Sequence, residues 1–370
     1  MTSQEKQNFL WLPLDNGHFI TGAATILSGC GSSGGSSTAA SSSAATTTAA
    51  EAGTDSAEAA TEAAATAASI DYPTKGITVI CPWSAGGGTD ACLRAFSDAL
   101  GKQLGQTLTV DNRTGGGGIT GHQAIADASP DGYTIGMITF ELATYKPLGT
   151  SDLTYENYDP LCRVNTDAAT VTVNTKWAKQ NNITDMKSFI DYAKKNPGQV
   201  QLGGSSNASV WHIAGGYLMQ KTGIDVQMIT YQDGAATAVQ NAASGFIQGV
   251  TVSVAEAKSF IDSGDLTCLG VMDTERNPQL PDVPTMKEQG YDLTYYTQRG
   301  MAIPKGVDPA IKAKLQDACA EAIKDPDFVE FMKNNGQTIS YMSADDYEEY
   351  LKSSATDVES AMKELNLIGQ

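Results

Sequence analysis

Two glycine-rich turns, Gly86-Gly87-Gly88 and Gly115-Gly116-Gly117-Gly118, each follow a strand-like run and precede a helix-like one, and this repeated pattern limits the fold more than any other feature of the chain. Ile77 to Cys81 reads as a strand, and Leu93, Phe96, Leu100 and Leu104 recur at helical spacing within Cys92 to Leu104. Thr107 to Asp111 reads as the next strand and Ile119 to Ala128 as the next helix. Pro130-Asp131-Gly132 is a turn signal, followed by a third strand over Tyr133 to Phe140. Strands that alternate with helices argue for a parallel α/β sheet.

The same alternation continues. Residues 161–174 form a long extended stretch suited to crossing between lobes. A helix is expected from Thr184 to Lys195, closed by Asn196-Pro197-Gly198, and then a strand over Val200 to Gly203. Further helices fall at Ala208 to Lys221, 234–243 and 254–263, with strands at Val226 to Thr230, Phe246 to Ser253 and 266–272. Tyr291 to Ile303 reads as a returning crossover, and helices at 308–324, 326–335 and 343–365 complete the chain. A second α/β lobe, 173–294, is therefore expected to be inserted in a first made of 70–172 and 295–370.

The first seventy residues do not read as fold. Residues 31–69 hold 15 Ala, 9 Ser and 7 Thr in 39 positions, too little apolar bulk to offset chain entropy, and read as a disordered tether. Before it, Leu27-Ser28-Gly29-Cys30 resembles a bacterial lipobox, with Cys30 as the lipidated residue and 1–30 as the signal segment. That apolar stretch, Phe19 to Leu27, is short, and Lys6 is its single upstream base.

Charge and cysteines narrow the function classes. The formal net charge of −18 argues against nucleic acid, which needs a basic footprint, and against polybasic attachment to anionic lipid. There is no apolar run of the length a membrane span needs. Cys81, Cys92, Cys162, Cys268 and Cys319 form no CxxC pair, so zinc and redox motifs lack support and core packing is the plainer reading. No metal or cofactor is expected.

The chemistry sits on loops. In Pro82-Trp83-Ser84-Ala85-Gly86-Gly87-Gly88-Thr89-Asp90 the glycines let the backbone approach a ligand, and a helix start favours an anion. A purely structural turn explains it equally well. Thr89-Asp90 replaces the Lys-Ser/Thr of a Walker A loop, and Asp90 is better suited to capping backbone N–H groups. The second loop, Asn112 to Thr120, also opens a helix, and two such loops at neighbouring strand ends would form a crevice. Its Arg113 either meets a carboxylate or pairs with Asp111 or Asp90. Ser205, Ser206, Asn207 and Ser209 precede a helix carrying Trp211 and His212 and offer donors or simple caps. Tyr231 stands on a strand-to-helix turn. Glu141, after Phe140, faces a ligand amine or solvent, and solvent is the expectation.

These residues, in this order, resemble the substrate-binding proteins of tripartite tricarboxylate transporters, the Bug family. The resemblance runs over about 72–368 and rests on Tyr72-Pro73-Thr74-Lys75 with Ile77, the turn from Pro82 to Asp90, Leu104-Gly105-Gln106, and Val110-Asp111-Asn112-Arg113 running into Gly115 to Gly118. It continues through Pro130-Asp131-Gly132-Tyr133-Thr134, Leu280-Pro281-Asp282-Val283-Pro284-Thr285 and Gly290-Tyr291. It implies an α/β, two-lobe periplasmic-binding-protein-like fold, each lobe a mainly parallel sheet flanked by helices, with the ligand cleft between them. It also implies ligand contacts from Trp83, Ser84, Gly87, Thr89 and Asp90, from Gly117, Gly118 and Thr120, and from Phe140, Ser206, Asn207, His212, Tyr231 and Ser253. Val252-Ser253 departs from the polar pair common in the family at that point.

The implied function is an extracytoplasmic, lipid-anchored, monomeric receptor. It would capture a small organic carboxylate (a di- or tricarboxylate, aromatic acid or acidic amino acid) and deliver it to the membrane subunits of a tripartite transporter, touching the membrane only through its anchor. A ligand sensor docking on a membrane kinase is the alternative. An acyl- or phosphoryl-transfer enzyme finds no GxSxG, HExxH or Walker A motif, and no catalytic residue is expected.

Overall fold

The computed structural model describes residues 70–368; the signal segment with Cys30 and the tether at 31–69 lie outside the described residues. The first lobe opens with β1 (Ile77–Cys81), α1 (Gly88–Leu104), β2 (Leu108–Asn112), α2 (Ile119–Ala126), β3 (Thr134–Thr139) and the short α3 (Tyr145–Leu148). β4 (Tyr158–Ala168) then runs into β5 (Thr170–Asn174) with one residue between them. The second lobe continues through α4 (Thr175–Gln180), α5 (Met186–Lys195), β6 (Gln201–Gly203), α6 (Val210–Thr222), β7 (Gln227–Ile229), α7 (Ala235–Ser244), β8 (Gly249–Val250), α8 (Val254–Asp262) and β9 (Leu266–Val271). β10 (Tyr296–Pro304) returns to the first lobe, which closes with α9 (Pro309–Ala322), α10 (Pro326–Asn334), β11 (Thr338–Met342) and α11 (Ala344–Glu364).

The first sheet has the order β11-β4-β10-β3-β1-β2 and the second β7-β6-β8-β5-β9. Both are mixed. Strands separated by helices pair in parallel, as β1 does with β2 and β3, and β6 with β7 and β8. The crossing strands pair antiparallel, because β4–β5 leaves the first lobe and β10 comes back beside it, from Tyr296↔Ala168 to Pro304↔Tyr158. At the crossing point the Ala169 N–H donates to the Tyr295 carbonyl at 2.9 Å. A register shift between Arg299 and Gly300 breaks the β10–β4 ladder, and such an irregularity re-aims a side chain.

Most differences from the sequence reading are at element ends. α1 starts at Gly88 rather than Cys92, so the glycine turn itself enters the helix. α3, α4 and β11 were not anticipated; each is short and carries little periodic signal. α11, expected with the first lobe, straddles both. Its Tyr347 and Leu351 join a first-lobe cluster with Ile80 and Ile138, while Val358, Ala361 and Met362 join the second-lobe core. Its end is fastened there by a hydrogen bond from Gln220 Nε2 to Glu364 Oε1 at 2.6 Å. The five described cysteines are free thiols within the packing, and burial pushes Cys81 and Cys92 up to about 12 and Cys268 up to about 11.

The second glycine run needs its glycines, since Gly115, Gly116, Gly117 and Gly118 have φ of 122°, 61°, 68° and 95°. Gly121, one turn into α2, serves close approach instead. A Cβ there would overlap Cα of Pro82 and lie 2.7 Å from the Arg113 carbonyl, so it is Gly121 that lets α2 pack beneath both glycine loops. Gly121→Ala is expected to destabilise the protein by about 1–3 kcal/mol through overpacking against backbone. Urea unfolding checks this, with a lower midpoint expected at an unchanged slope; an unaltered midpoint would mean the loops yield freely.

Candidate functional site

A polar cavity lies between the two sheets, a narrow space of about 30 Å³ between closely approaching lobes. The first lobe contributes Trp83, Ser84, Gly87, Gly88 and Thr89 from the first glycine turn, Thr139 and Glu141 from the end of β3, and Thr297 and Arg299 from β10. The second lobe contributes Ser205, Val210, Trp211, Gly234, Ala235 and Glu256. The lobes touch around its rim. The Ser84 N–H donates to the Asp233 carbonyl at 3.4 Å, and a Cβ on Gly117 would meet Ser206 Oγ at 2.8 Å.

Helix starts from both lobes converge here, and they are of two kinds. α1 and α7 have Gly87 and Gly234 as N-caps, and no side chain caps either. Their first backbone N–H groups therefore depend on an outside acceptor, which makes each an anion-favouring end. The starts of α6 and α8 are closed from within. Ser209 Oγ accepts from the His212 N–H at 3.4 Å, and Glu141, reaching across from the first lobe, has its charged form favoured by the Val210 N–H. Ser253 and Glu256 form a reciprocal capping box on α8.

Among the described residues Arg299 is the one cation in the lining, and it is already engaged. It is 2% exposed, its Nη1 pairs with Asp167, and its Nε donates to Thr89 Oγ1 at 2.9 Å. Burial alone would lower its pKa, but the carboxylates of Asp167 and Glu256 hold it above its ordinary value. Glu141 is 3% exposed, and burial raises its pKa despite hydrogen bonds from Thr139 and the backbone. Burial likewise raises Glu256, against the pull of Arg299. Thr139 links these groups to the first loop, because its hydroxyl accepts from Trp83 Nε1 at 3.3 Å and donates to Glu141 Oε2 at 2.6 Å.

The two glycine loops are held from behind. Asp90 accepts from the Gly86 N–H at 2.9 Å, from Asn112 Nδ2 at 2.9 Å and from Arg94 Nε at 3.1 Å. The second loop hangs on His122. Its Nε2 accepts from the Thr139 N–H at 3.2 Å, which leaves the proton on Nδ1 to donate to Tyr145 Oη at 2.9 Å; Tyr145 in turn donates to the Gly117 carbonyl at 2.9 Å. Burial depresses His122 to about 3, so it stays neutral in this relay.

Of the residues singled out in the sequence, Trp83, Ser84, Gly87 and Thr89 line the cavity. Asp90, Gly117 and Gly118 stand behind or beside it as loop supports: a Cβ on Gly118 would meet Tyr145 Oη and Trp83. Ser206 packs on Gly117, while Thr120 and Asn207 are exposed. His212 turns back on its own loop, where Nδ1 accepts from the N–H of Ala208, a residue with φ of 52°. Tyr231 Oη accepts from Asn241 at 2.9 Å, Phe140 lies edge-on to Tyr295 in the core, and Ser253 caps α8.

One expectation is corrected: Glu141 is buried rather than solvated, and its Oε2 accepts from Thr139 Oγ1. Of the two readings open for Arg113, the ion pair is the one seen, with Asp111 at 2.8 Å. Sequence reasoning missed Arg299, Asp167, Glu256 and Thr139; the usable signal was a lone Arg inside the otherwise uncharged strand β10. Among the described residues, no group of three His, Cys, Asp or Glu could hold a metal ion, and no helix is long and apolar enough to cross a membrane.

Burial would raise the Asp90 carboxyl, but Arg94, the Gly86 N–H and Asn112 outweigh it and hold its pKa below the usual range. A carboxyl depressed in the folded state stabilises fully above its unfolded value of about 4, and that contribution fades as pH falls through the folded value. Asp90→Asn is expected to cost about 1–3 kcal/mol at neutral pH. The gap from wild type should narrow below about pH 4. Urea unfolding at both pH values checks this, and a gap independent of pH would remove the charge from the explanation.

Comparison with known proteins gives the same architecture. The chain is 28% identical over 298 residues to the "UPF0065 protein in gbd 5'region" of Cupriavidus necator, spanning 80% of this chain and 89% of that one. It is 29% identical over 279 residues to Protein BugT of Bordetella pertussis, spanning 72% and 82%. The solved structure of the periplasmic binding protein BugD superimposes with a TM-score of 0.73 at 26% identity, covering 81% of this chain and 100% of that one. Residues 92–367 match the family model described as "Tripartite tricarboxylate transporter family receptor", and the chain belongs to that family of solute-binding proteins.

Proposed function

We propose that the protein captures a small organic carboxylate in the interlobe cavity and hands it to the membrane subunits of a tripartite transporter. The observation that carries this reading is the pair of glycine-capped helix starts, α1 from one lobe and α7 from the other, that face the same cavity without a side-chain cap. A carboxylate between them satisfies orphan N–H groups of both lobes at once, so it favours the closed arrangement over an open one. Ser84 and Thr89 add hydroxyls, and Arg299 adds a guanidinium whose Nη2 lies beside Gly88. The net charge of −18 does not oppose this, because salt screens distant charges over about 8–10 Å while the helix ends act at contact.

In this reading the chain is a receptor without turnover, anchored through lipid on Cys30 outside the cytoplasmic membrane and acting as a monomer. The tether at 31–69 gives the folded part reach toward its membrane partners. Neither a cofactor nor nucleic acid takes part.

A thermal-shift screen of the full chain against small carboxylates, with their methyl esters as controls, tests the proposal. A binding acid at about a hundredfold its Kd adds roughly 2.7 kcal/mol and raises Tm by several degrees. Ser84→Ala is expected to weaken the bound acid about tenfold with Tm of the free protein unchanged. Asp90→Ala is expected to weaken it while lowering the Tm of the free protein, because it acts through the loop. Esters binding as well as acids would overturn the carboxylate reading.

A further inference from the structure

Of the six cysteines in the chain, four gather in the core of the first lobe: Cys81, Cys92, Cys162 and Cys319, each fully buried. Two of them sit on elements that run alongside each other. α9 is fastened along β4 at two successive points, where Lys312 Nζ pairs with Asp159 Oδ1 at 3.3 Å and Gln316 Nε2 donates to the Pro160 carbonyl at 3.4 Å. The next positions on this seam are Cys319 and Cys162. Cys319 lies two helical turns beyond Lys312, on the same face and about 10.5 Å along the axis. Cys162 lies three residues beyond Asp159, roughly 10 Å along the strand. Strand alternation would turn Asp159 and Cys162 to opposite faces, but Cys162 pairs with Met301 and Pro160 with Ala302, so Leu161 is an inserted residue that resets the alternation. Asp159 and Cys162 thus both face α9, and the two thiols meet there: the Cys162 thiol, ahead of burial, holds the Cys319 thiol well above its ordinary value. For Cys81 and Cys92 burial comes first, and Cys268 lies in the other lobe with its thiol on the Gly270 carbonyl.

We propose that Cys162 and Cys319 form a disulfide that fastens α9 to β4 when the protein folds in a thiol-oxidising environment, and that the free thiols are its reduced form. The oxidant is a second disulfide, of the glutathione class. One cysteine of the pair loses its proton, and its thiolate attacks a sulfur of that disulfide and releases the other sulfur as a thiolate. The second cysteine, deprotonated in turn, attacks the protein sulfur of the mixed disulfide and releases the remaining thiolate. One S–S bond breaks and one forms, and two electrons and two protons leave with the oxidant as two thiols. Burial, with Cys319 held protonated, bars this exchange once α9 is seated. The bond therefore forms while α9 is still off β4, and is afterwards shielded from reductants. The loop it closes runs from β4 to the end of α9 and contains the whole second lobe, and a cross-link constrains an unfolded chain more the longer its loop. Such a bond suits the placement outside the cytoplasm proposed above and is independent of the ligand.

The full chain, purified under reductant, unfolded in urea and refolded with a mixture of oxidised and reduced glutathione, tests this. The expected product is a monomer lighter by two hydrogens, with four cysteines open to alkylation after denaturation rather than all six, and with the Cys162 and Cys319 peptides joined in a non-reducing peptide map. Its Tm is expected to stand several degrees above that of the chain refolded with reductant alone. Cys319→Ala should lose both the mass change and the oxidant-dependent rise in Tm; where this variant does not fold, the wild-type peptide map decides. Recovery of all six thiols, or a bond joining any other pair, would overturn the proposal. A bond between Cys162 and Cys319 that left Tm unchanged would overturn its fastening role. The carboxylate reading stands or falls on ligand binding and is untouched by any of these results.

Discussion

The buried pair of Arg299 and Asp167 is the contact around which the crossing strands and the start of α1 are arranged. Asp167 lies near the end of β4, where the chain leaves the first lobe, and Arg299 lies on β10, where it returns. Around them the same network gathers the start of α1 and the start of β11. Arg299 Nε donates to Thr89, Gln337 Nε2 donates to the Gly88 carbonyl at 3.0 Å, and the Thr338 N–H donates to Asp167 Oδ1 at 3.1 Å. A buried ion pair adds little net stability over an apolar replacement, but removing one partner costs about 3–5 kcal/mol because a charge is stranded. Its value here is positional: it fixes the register of the crossing strands and the start of α1 to one another at the edge of the cavity.

From that fixed point the cavity divides by how each helix start is capped. Glycine at the N-caps of α1 and α7 leaves backbone donors for something outside the chain. Ser209 and the Ser253–Glu256 box close α6 and α8 from within, and Glu141 and Glu256 add acceptors to the lining, Glu256 against Gly88 itself. Local choice of cap thus sets the polarity of the site before any side chain reaches for a ligand. The supporting relay from Thr139 through His122 and Tyr145 to Gly117 has no cavity-facing member beyond Thr139, yet it determines where the second loop stands.

This division explains what the sequence disclosed. Strands and helices with periodic apolar faces, such as β1 and α1, were legible because burial of one face leaves a pattern in the residues. The first glycine turn was legible as a strand-to-helix turn, and the resemblance rather than the glycines themselves pointed to a ligand. Arg299, Asp167 and Glu256 were not, since their role depends on pairing across residues far apart in the chain. Asp90 and His212 have the right chemistry for a ligand, but each is satisfied by its own loop, and spacing alone does not say which way a side chain turns. The crossing strands were seen as extended segments, whereas the register shift at Arg299 and Gly300 that aims the guanidinium leaves no mark in composition.

The contacts between the lobes fall into two sets, and the difference defines how the cavity opens. Across its mouth stand a long Ser84–Asp233 backbone hydrogen bond, the packing of Gly117 on Ser206, and the two glutamates reaching to the opposite lobe. Trp83 against Gly234 and Phe140 against Tyr295 add apolar contacts beside them. On the far side are the paired crossing strands and α11, whose apolar residues are shared between both cores. Parting that side would expose Tyr347 or Met362 to solvent, at a cost of about 1.5–3 kcal/mol for each large apolar side chain. A ligand that ties the glycine-capped helix starts together adds to the set across the mouth, and so favours the closed form.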